Sequence, residues 1–194
     1  MALVVGLGNP GARYRRTRHN AGRRVLERLV ERWNARLGDT TSEYRWWETE
    51  VKGHPVQLLL PETFMNRSGD ALREWSLRHR FALDELLAVA DDVYLPIGYV
   101  RLRRGGSSGG HRGLESIEAA LGTRDYARLR IGVGEAPSEE LKQHVLEEPP
   151  ALLGRALDEV VGIGADAVEC WIGEGMLAAM NRFNRRVRKE VSEP

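Results

Sequence analysis

The chain has 194 residues, a length typical of one domain that buries a core of its own. Hydrophobic residues make up 42% of it and charged residues 29%, and the formal net charge of +1 excludes attraction to nucleic acid by net charge alone. The sequence has no run of about 18 apolar residues that could cross a membrane and no leader pattern at its start, so we expect a cytoplasmic protein.

The first half of the chain alternates apolar runs with helical spacing. Residues 2–7 form an apolar run before a turn-rich stretch, which predicts a buried strand. Apolar residues recur at helical spacing from about residue 20, and Gly38 is expected to end this helix. Residues 44–51 and 56–60 flank a turn and predict a hairpin. A further helix is predicted from about residue 68 to residue 79.

The second half continues the alternation. The apolar residues 86–90 predict a strand that ends at Asp91 and Asp92, and residues 99–103 alternate as an exposed edge strand does. A glycine-rich loop over residues 105–111 precedes a predicted helix, from about 113 to 121, and a predicted strand over 128–133. Residues 134–150 predict a loop with one short helical piece. The remainder is helical, divided by Gly173 and Gly175, with a charged tail from about residue 186 that we expect to fray.

Strands that alternate with helices predict an α/β fold whose sheet is at least partly parallel. Polar side chains follow the predicted strands or open the helices: Asn9, His19, Asn66, Asp91 and Asp92. Because ligands bind beyond the carboxyl ends of strands in open α/β sheets, these segments are predicted to converge on one crevice.

His19 is a candidate base, because a histidine accepts a proton near neutral pH when a partner fixes its tautomer. Asp91 or Asp92 could be that partner. The alternative is a solvent-exposed histidine at a helix start and an aspartate pair that only caps the strand.

The chain lacks a Gly-x-Ser-x-Gly elbow, and its one cysteine, Cys170, has no histidine near it in sequence. These features favour water activated by a base over a covalent nucleophile. Asn9 and Asn66 would then hold a carbonyl or polarise an oxyanion. No Cys/His cluster has the spacing of a zinc site.

Two glycine-rich segments invite other interpretations. The first, over residues 6–11, matches Gly-x-Gly-x-x-Gly, but Pro10 removes an amide and helical spacing starts only near Asn20, which disfavours a dinucleotide site. The second contains His111 and Arg112 and follows Arg103. It fits a loop for a nucleic-acid backbone, and it equally fits a hairpin tip with solvated arginines.

Several strings together resemble the bacterial peptidyl-tRNA hydrolase family, in that family's order and spacing. They are Gly6-Leu-Gly-Asn-Pro-Gly11 with Tyr14, Thr17-Arg-His-Asn-Ala-Gly22, Pro61-Glu-Thr-Phe-Met-Asn-Arg-Ser-Gly69, Asp91-Asp92 followed by Leu95-Pro96 and Gly98, Gly109-Gly-His-Arg-Gly-Leu114, and Arg128-Leu-Arg-Ile-Gly-Val-Gly134. Met180-Asn181-Arg-Phe183 fits as well, so the resemblance covers nearly the whole chain.

The resemblance implies a single compact domain over residues 1–194, with a mixed twisted sheet between helices. It also implies a monomer without metal or organic cofactor. The expected reaction is hydrolysis of the ester bond between a peptide, or an N-substituted amino acid, and the 3′ end of tRNA. This reaction recycles tRNA from peptidyl-tRNA that ribosomes release prematurely.

The resemblance also implies residue roles. His19 is the catalytic base, and Asp91 rather than Asp92 orients it. The expected substrate-binding residues are Asn9 and Asn66 for the substrate carbonyl and the tRNA 3′ end, Tyr14 and Met65 for the cleft lining, His111 for the cleft border, and Arg103 with Arg130 for the 5′-phosphate.

One position departs from the family pattern: Arg112 stands where many members carry asparagine. Arginine donates hydrogen bonds but accepts none, so Arg112 either points outward to tRNA phosphate or perturbs the water site.

Two other functions are alternatives. One is a non-catalytic RNA-binding relative of the same fold, which the joint presence of Asn9, His19, Asn66 and Asp91 disfavours. The other is a nucleotide-dependent enzyme that uses the first glycine segment.

Overall fold

The computed structural model describes residues 1–135 and 141–184, and the charged tail expected to fray lies outside these ranges. Within them, seven strands form one sheet: β1 (Ala2–Gly6), β2 (Arg36–Leu37), β3 (Tyr44–Val51), β4 (His54–Pro61), β5 (Leu86–Asp92), β6 (Val100–Arg103) and β7 (Ala127–Gly132). Their order across the sheet is β2-β3-β4-β1-β5-β7-β6. The central strands β4, β1, β5 and β7 are parallel, and the other pairings are antiparallel.

Helices cover both faces of the sheet. They are α1 (Ala21–Arg32), α2 (Ser68–Ser76), α3 (Arg112–Leu121), α4 (Leu141–Leu146), α5 (Ala151–Glu174) and α6 (Met176–Phe183). Val4 of β1 packs with α1 and α5 on one face, whereas Leu3 and Val5 pack with α2 and α3 on the other. This alternation gives the strand a buried side chain at each of these positions. The predicted α/β fold, a mixed sheet flanked by helices, is confirmed.

The first helix ends earlier than Gly38. Asn34 has a φ of 46°, and the backbone amides of Asn34 and Ala35 donate to the carbonyls of Glu31 and Val30. This Schellman motif stops α1, and asparagine tolerates the left-handed conformation that the motif needs. The released chain pairs with β3 as the two-residue strand β2, a pairing that periodicity did not reveal.

Other boundaries differ by a few residues. Helix α2 ends at Ser76 instead of residue 79, whereas β5 ends with Asp91 and Asp92 as predicted. Gly175, with a φ of 85°, separates α5 from α6, whereas Gly173 lies inside α5. The short helical piece expected within residues 134–150 is α4.

The edge strand β6 alternates buried and exposed residues, as predicted. On its free side the Asn184 side chain pairs with the backbone of Leu102. Its Oδ1 accepts from the Leu102 amide at 2.7 Å, and its Nδ2 donates to the Leu102 carbonyl at 3.1 Å.

The parallel strands bring their carboxyl ends to one edge of the sheet. Helix α1 starts directly against β5 there. The two are so close that a Cβ on Gly22 would lie 2.1 Å from the Val89 carbonyl oxygen. Only glycine permits this close packing. As a result, the segment before α1, which contains His19, lies at the end of β5. No helix in the described part of the chain has the length and apolarity needed to cross a membrane.

Candidate active site

A cleft of about 510 Å³ opens at the carboxyl ends of the parallel strands. Nine of the ten expected site residues line it: Asn9, Tyr14, His19, Met65, Asn66, Asp91, His111, Arg112 and Arg130. The tenth, Arg103, lies outside it on β6. The segments after β1, β4 and β5 thus meet as the sheet topology predicts.

His19 and Asp91 are in direct contact. Nδ1 of His19 lies 2.7 Å from Oδ1 of Asp91, and the two side chains are 13% and 2% exposed. Asp92 instead accepts from the Tyr94 amide at 2.9 Å and lies 3.6 Å from Nη1 of Arg130. Of the two candidate carboxylates, Asp91 is therefore the one that can orient His19.

His111 donates to the same oxygen of Asp91. Its Nε2 lies 2.8 Å from Oδ1, while its Nδ1 accepts from the backbone amides of Gly113 and Leu114 at the start of α3. An acceptor at Nδ1 places the proton of the neutral ring on Nε2. From the sequence we predicted His111 only as a residue at the cleft border. Its position directly before a predicted helix could have indicated that its side chain caps the N-terminus of that helix.

These contacts also fix the tautomer of His19. Because Asp91 is a carboxylate, Nδ1 of His19 donates to it, and Nε2 of His19 keeps the lone pair. Burial alone would raise the pKa of Asp91, but the charges and hydrogen bonds of the two histidines outweigh burial and hold that pKa well below its usual range.

The pKa of His19 is shifted in the opposite direction. Burial lowers it, and so does the positive charge of Arg112, but the charge and hydrogen bond of Asp91 together raise the pKa above its ordinary value. Asp91 therefore makes His19 a stronger base, and Arg112 partly opposes this effect.

Asn9 is held on three sides. Its backbone amide donates to Oδ1 of Asn20 at 2.8 Å, and its carbonyl accepts from Nδ2 of Asn20 at 2.9 Å. Its own Oδ1 accepts from the Met65 amide at 2.9 Å. The amino group of the Asn9 side chain therefore remains as a donor at the cleft. Asn20 was missed by the sequence analysis, although it adjoins His19 in the motif.

The cleft rim is aromatic, with Tyr14 half-buried and Phe64 exposed. Tyr14 meets Phe64 edge to face with their ring centroids 6.4 Å apart, and Phe64 is 57% exposed. Asn66 is exposed beside them, and its side chain has no hydrogen-bond partner among the described residues. Phe64 was not predicted as a site residue, although it lies inside a motif string.

Helix α4 forms an apolar wall of the cleft with Leu141, Val145 and Leu146. The buried Arg18 donates to the carbonyls of His144 at 3.1 Å and Glu147 at 3.5 Å, near the carboxyl end of this helix. A cation there satisfies carbonyls that a helix end leaves unpaired. Arg18 thus joins α4 to the turn that carries His19.

The two arginines expected to hold a phosphate differ in their surroundings. Arg130 is 13% exposed and lines the cleft, whereas Arg103 is exposed on the edge strand. Arg103 pairs in register with Arg128, two residues from Arg130 on the same face of the sheet. The structure thus brings Arg130 to the cleft and leaves Arg103 beside it. Arg112, the first residue of α3, is exposed at the cleft.

His19, Asp91 and His111 place possible metal ligands within 4.8 Å of one another. Two histidines and one carboxylate are a known ligand set for divalent cations. A ligating ring nitrogen needs a free lone pair, however, and Nε2 of His111 carries the proton because Nδ1 accepts two amides. The trio therefore suits a chain of hydrogen bonds better than it suits a metal ion.

Comparisons with known proteins cover almost the whole chain. A family model described as peptidyl-tRNA hydrolase matches residues 3–192. The chain is 40% identical to the peptidyl-tRNA hydrolase of Halalkalibacterium halodurans, over 95% of this chain and 100% of that one. It is 45% identical to that of Desulforudis audaxviator, over 95% and 93% of the two chains. The crystal structure of the Acinetobacter baumannii peptidyl-tRNA hydrolase matches with a TM-score of 0.87 and 34% identity, over 95% and 94% of the two chains.

Proposed function

Because the chain belongs to the peptidyl-tRNA hydrolase family, a family of ester hydrolases, we propose that it hydrolyses the ester bond between a peptide and the 3′ end of tRNA. The observation that carries the mechanism is the shared oxygen of Asp91, which accepts from His19 and from His111. It leaves Nε2 of His19 with a lone pair, next to a cleft that could hold an ester.

His19 is the general base. Its Nε2 takes a proton from a water molecule as the water oxygen attacks the ester carbonyl carbon, and a tetrahedral intermediate forms. Asp91 stabilises the imidazolium that results, because its negative charge lies 2.7 Å from the ring nitrogen. When the intermediate collapses, the bond to the ribose oxygen breaks, and the imidazolium returns its proton to that oxygen.

Two amides stabilise the charge that develops on the carbonyl oxygen. The amino group of Asn9 has a fixed direction, since Oδ1 of the same side chain is held by the Met65 amide. A donor fixed in advance stabilises an oxyanion without reorganising during the reaction. Asn66 has no partner among the described residues and is therefore available to the substrate.

The remaining cleft surfaces suit the two parts of the substrate. The half-buried ring of Tyr14 and the exposed ring of Phe64 offer a surface for the terminal base of the tRNA. The apolar wall of α4 suits the side chains of the peptide. Arg103 and Arg130 provide cations on one face of the sheet for the 5′-phosphate.

In the cell this reaction would recycle tRNA from peptidyl-tRNA released prematurely by ribosomes. We expect a monomer to be the active form, as the family resemblance implies. Sedimentation at micromolar concentration tests this, and a stable dimer would contradict it.

The decisive experiment is release of peptide from a bulk peptidyl-tRNA by the purified protein, with aminoacyl-tRNA that has a free amino group as the control substrate. We expect hydrolysis of the first and not of the second. Binding of peptidyl-tRNA without any release of peptide would instead identify a non-catalytic RNA-binding relative.

A further inference from the structure

Two arginines of β7 hold the glycine-rich loop that precedes α3. Nη1 of Arg128 and Nη2 of Arg130 both donate to the carbonyl of Ser107, at 3.0 and 2.9 Å. Nη2 of Arg130 also donates to the carbonyl of Ser108 at 2.8 Å. The two hydrogens of this Nη2 atom are thereby both used.

The loop closes over the guanidinium of Arg130. Gly109 and Gly110 have φ angles of 62° and 80°, and a Cβ on Gly109 would lie 3.5 Å from Nη2 of Arg130. Left-handed backbone at two successive residues is accessible to glycine at little cost. The glycines thus let the loop turn around Arg130. The loop is held by hydrogen bonds to arginine side chains and is not the solvated hairpin tip that the sequence left as an alternative.

The hydrogen bonds of Arg130 are connected to Asp91 and His19 through the carbonyl of Ser108. The Ser108 oxygen that accepts from Arg130 also accepts the backbone amide of His111 at 3.2 Å. The ring of His111 then donates to Asp91, which accepts from His19 on the same oxygen. Arg130 therefore supports the backbone of a residue that contacts Asp91.

The surroundings of Arg130 indicate that binding a phosphate is not its only role. It is 13% exposed, Nη2 is committed to the loop, and Nη1 lies 3.6 Å from a carboxylate oxygen of Asp92. A phosphate would meet only the remaining edge of the guanidinium and would face a neighbouring negative charge. An arginine used only for phosphate would offer more of its five N–H groups to solvent.

We propose that Arg130 is a positioning residue of the active site, which holds the glycine-rich loop so that His111 keeps its hydrogen bond to Asp91. The proposal rests on the proposed hydrolysis and adds a role to the expected phosphate contact. It predicts that loss of Arg130 slows the chemical step even when the substrate has no 5′-phosphate to bind.

The test uses a short substrate, a peptide esterified to the trinucleotide CCA. For Arg130→Ala we expect kcat to fall by up to about 10²-fold with little change in KM, because a small displacement of a catalytic group has an effect of this size. Arg130→Lys keeps the charge but loses the planar fork that spans two carbonyls, so we expect a lower kcat there as well.

Arg101→Ala is the matched control. Arg101 lies opposite Arg130 in the register of β6 and β7 and is exposed, and its side chain makes no hydrogen bond or ion pair within residues 1–135 and 141–184. The variant removes the same charge from the same face without touching the loop. We expect it to keep the wild-type kcat on the short substrate.

A second readout does not depend on activity. In nitrogen-15 NMR spectra, the Nε2–H proton of His111 should give a hydrogen-bonded resonance in the wild type and in Arg101→Ala, and should lose it in both Arg130 variants. Thermal unfolding shows whether each variant is folded, and Arg130→Lys decides the matter if Arg130→Ala does not fold. An unchanged kcat on the short substrate together with an unchanged His111 resonance would overturn the proposal. Absence of hydrolysis by the wild type would refute the proposed function instead, and the NMR comparison would still decide the role of Arg130.

Discussion

Nε2 of His111 lies 2.8 Å from Oδ1 of Asp91, and it is the proton-bearing nitrogen of that ring because helix α3 supplies the donors at the other nitrogen. Asp91 is consequently held by a ring whose orientation the backbone of α3 fixes. Its charge remains available to the second histidine, which is the one that can change its protonation state during a reaction.

His19→Ala should reduce hydrolysis of peptidyl-tRNA by about 10²- to 10⁴-fold, the usual effect of removing a general base. Binding of the tRNA should be nearly unchanged, because the ring contributes to the chemical step. Single-turnover hydrolysis and a separate binding assay measure the two effects. A variant that keeps most of its activity would remove His19 from the mechanism.

Asp91→Asn and Asp92→Asn form a matched pair, since each replaces a carboxylate by an amide of the same shape. Asp91→Asn should reduce kcat by about 10²- to 10⁴-fold, because the imidazolium of His19 loses its stabilising charge. Asp92→Asn keeps an oxygen that can accept from the Tyr94 amide and should have a mild effect. A larger loss at position 92 would show that the other carboxylate acts on the base.

The charge of Arg112 should influence how the rate of hydrolysis depends on pH. His19 acts when it is neutral, so kcat/KM should rise with pH through the pKa of His19, which Asp91 raises above its ordinary value. The charge of Arg112 lowers this pKa, and Arg112→Asn should therefore raise it and move the rising limb of the profile to higher pH.

Arg112→Lys is the control for this prediction, because it keeps the charge and should leave the rising limb close to that of the wild type. Profiles of single-turnover rates between pH 5 and pH 9 would separate the variants. A limb at the same pH in Arg112→Asn and in the wild type would show that the charge at position 112 does not reach His19.

Arg103→Ala should raise KM for full-length tRNA by roughly tenfold, the equivalent of about 1.4 kcal/mol for one charged contact, with little change in kcat. The slope of binding against salt should also fall by about one. Removal of the 5′-phosphate from the tRNA is the control, and it should abolish the difference from the wild type. An equal loss with dephosphorylated tRNA would indicate general attraction to RNA.

Chelators should leave the activity unchanged. The tautomer of His111 denies a cation one of its three possible ligands, so no metal is expected to take part. Hydrolysis after prolonged dialysis against EDTA measures this directly. Loss of activity that zinc restores would show that the two amides at the start of α3 do not fix that tautomer.

The convergence of Asn9, His19 and Asp91 could be predicted because each follows or adjoins a parallel strand, and the topology of such sheets brings their carboxyl ends together. The contact between His111 and Asp91 could not be predicted in this way. The direction of the His111 side chain depends on a loop that turns around Arg130, a residue of a strand later in the chain. Periodicity along one segment carries no information about such a long-range contact. The helix stop at Asn34 was missed for a different reason: glycine is the commoner residue in that conformation, and Gly38 was the nearest one.

The side chain of Asn184 gives the free edge of the sheet a partner. An exposed edge strand offers its unpaired amides and carbonyls to any other extended chain, which makes it a template for aggregation. At β6 a single amide occupies both groups of Leu102, and at the opposite edge β2 is only two residues long. The side chain of Asn184, the residue that follows α6, therefore occupies two groups with which a second molecule could pair. Protection of this edge from aggregation thus depends on a tertiary contact and not on the sequence of β6 alone.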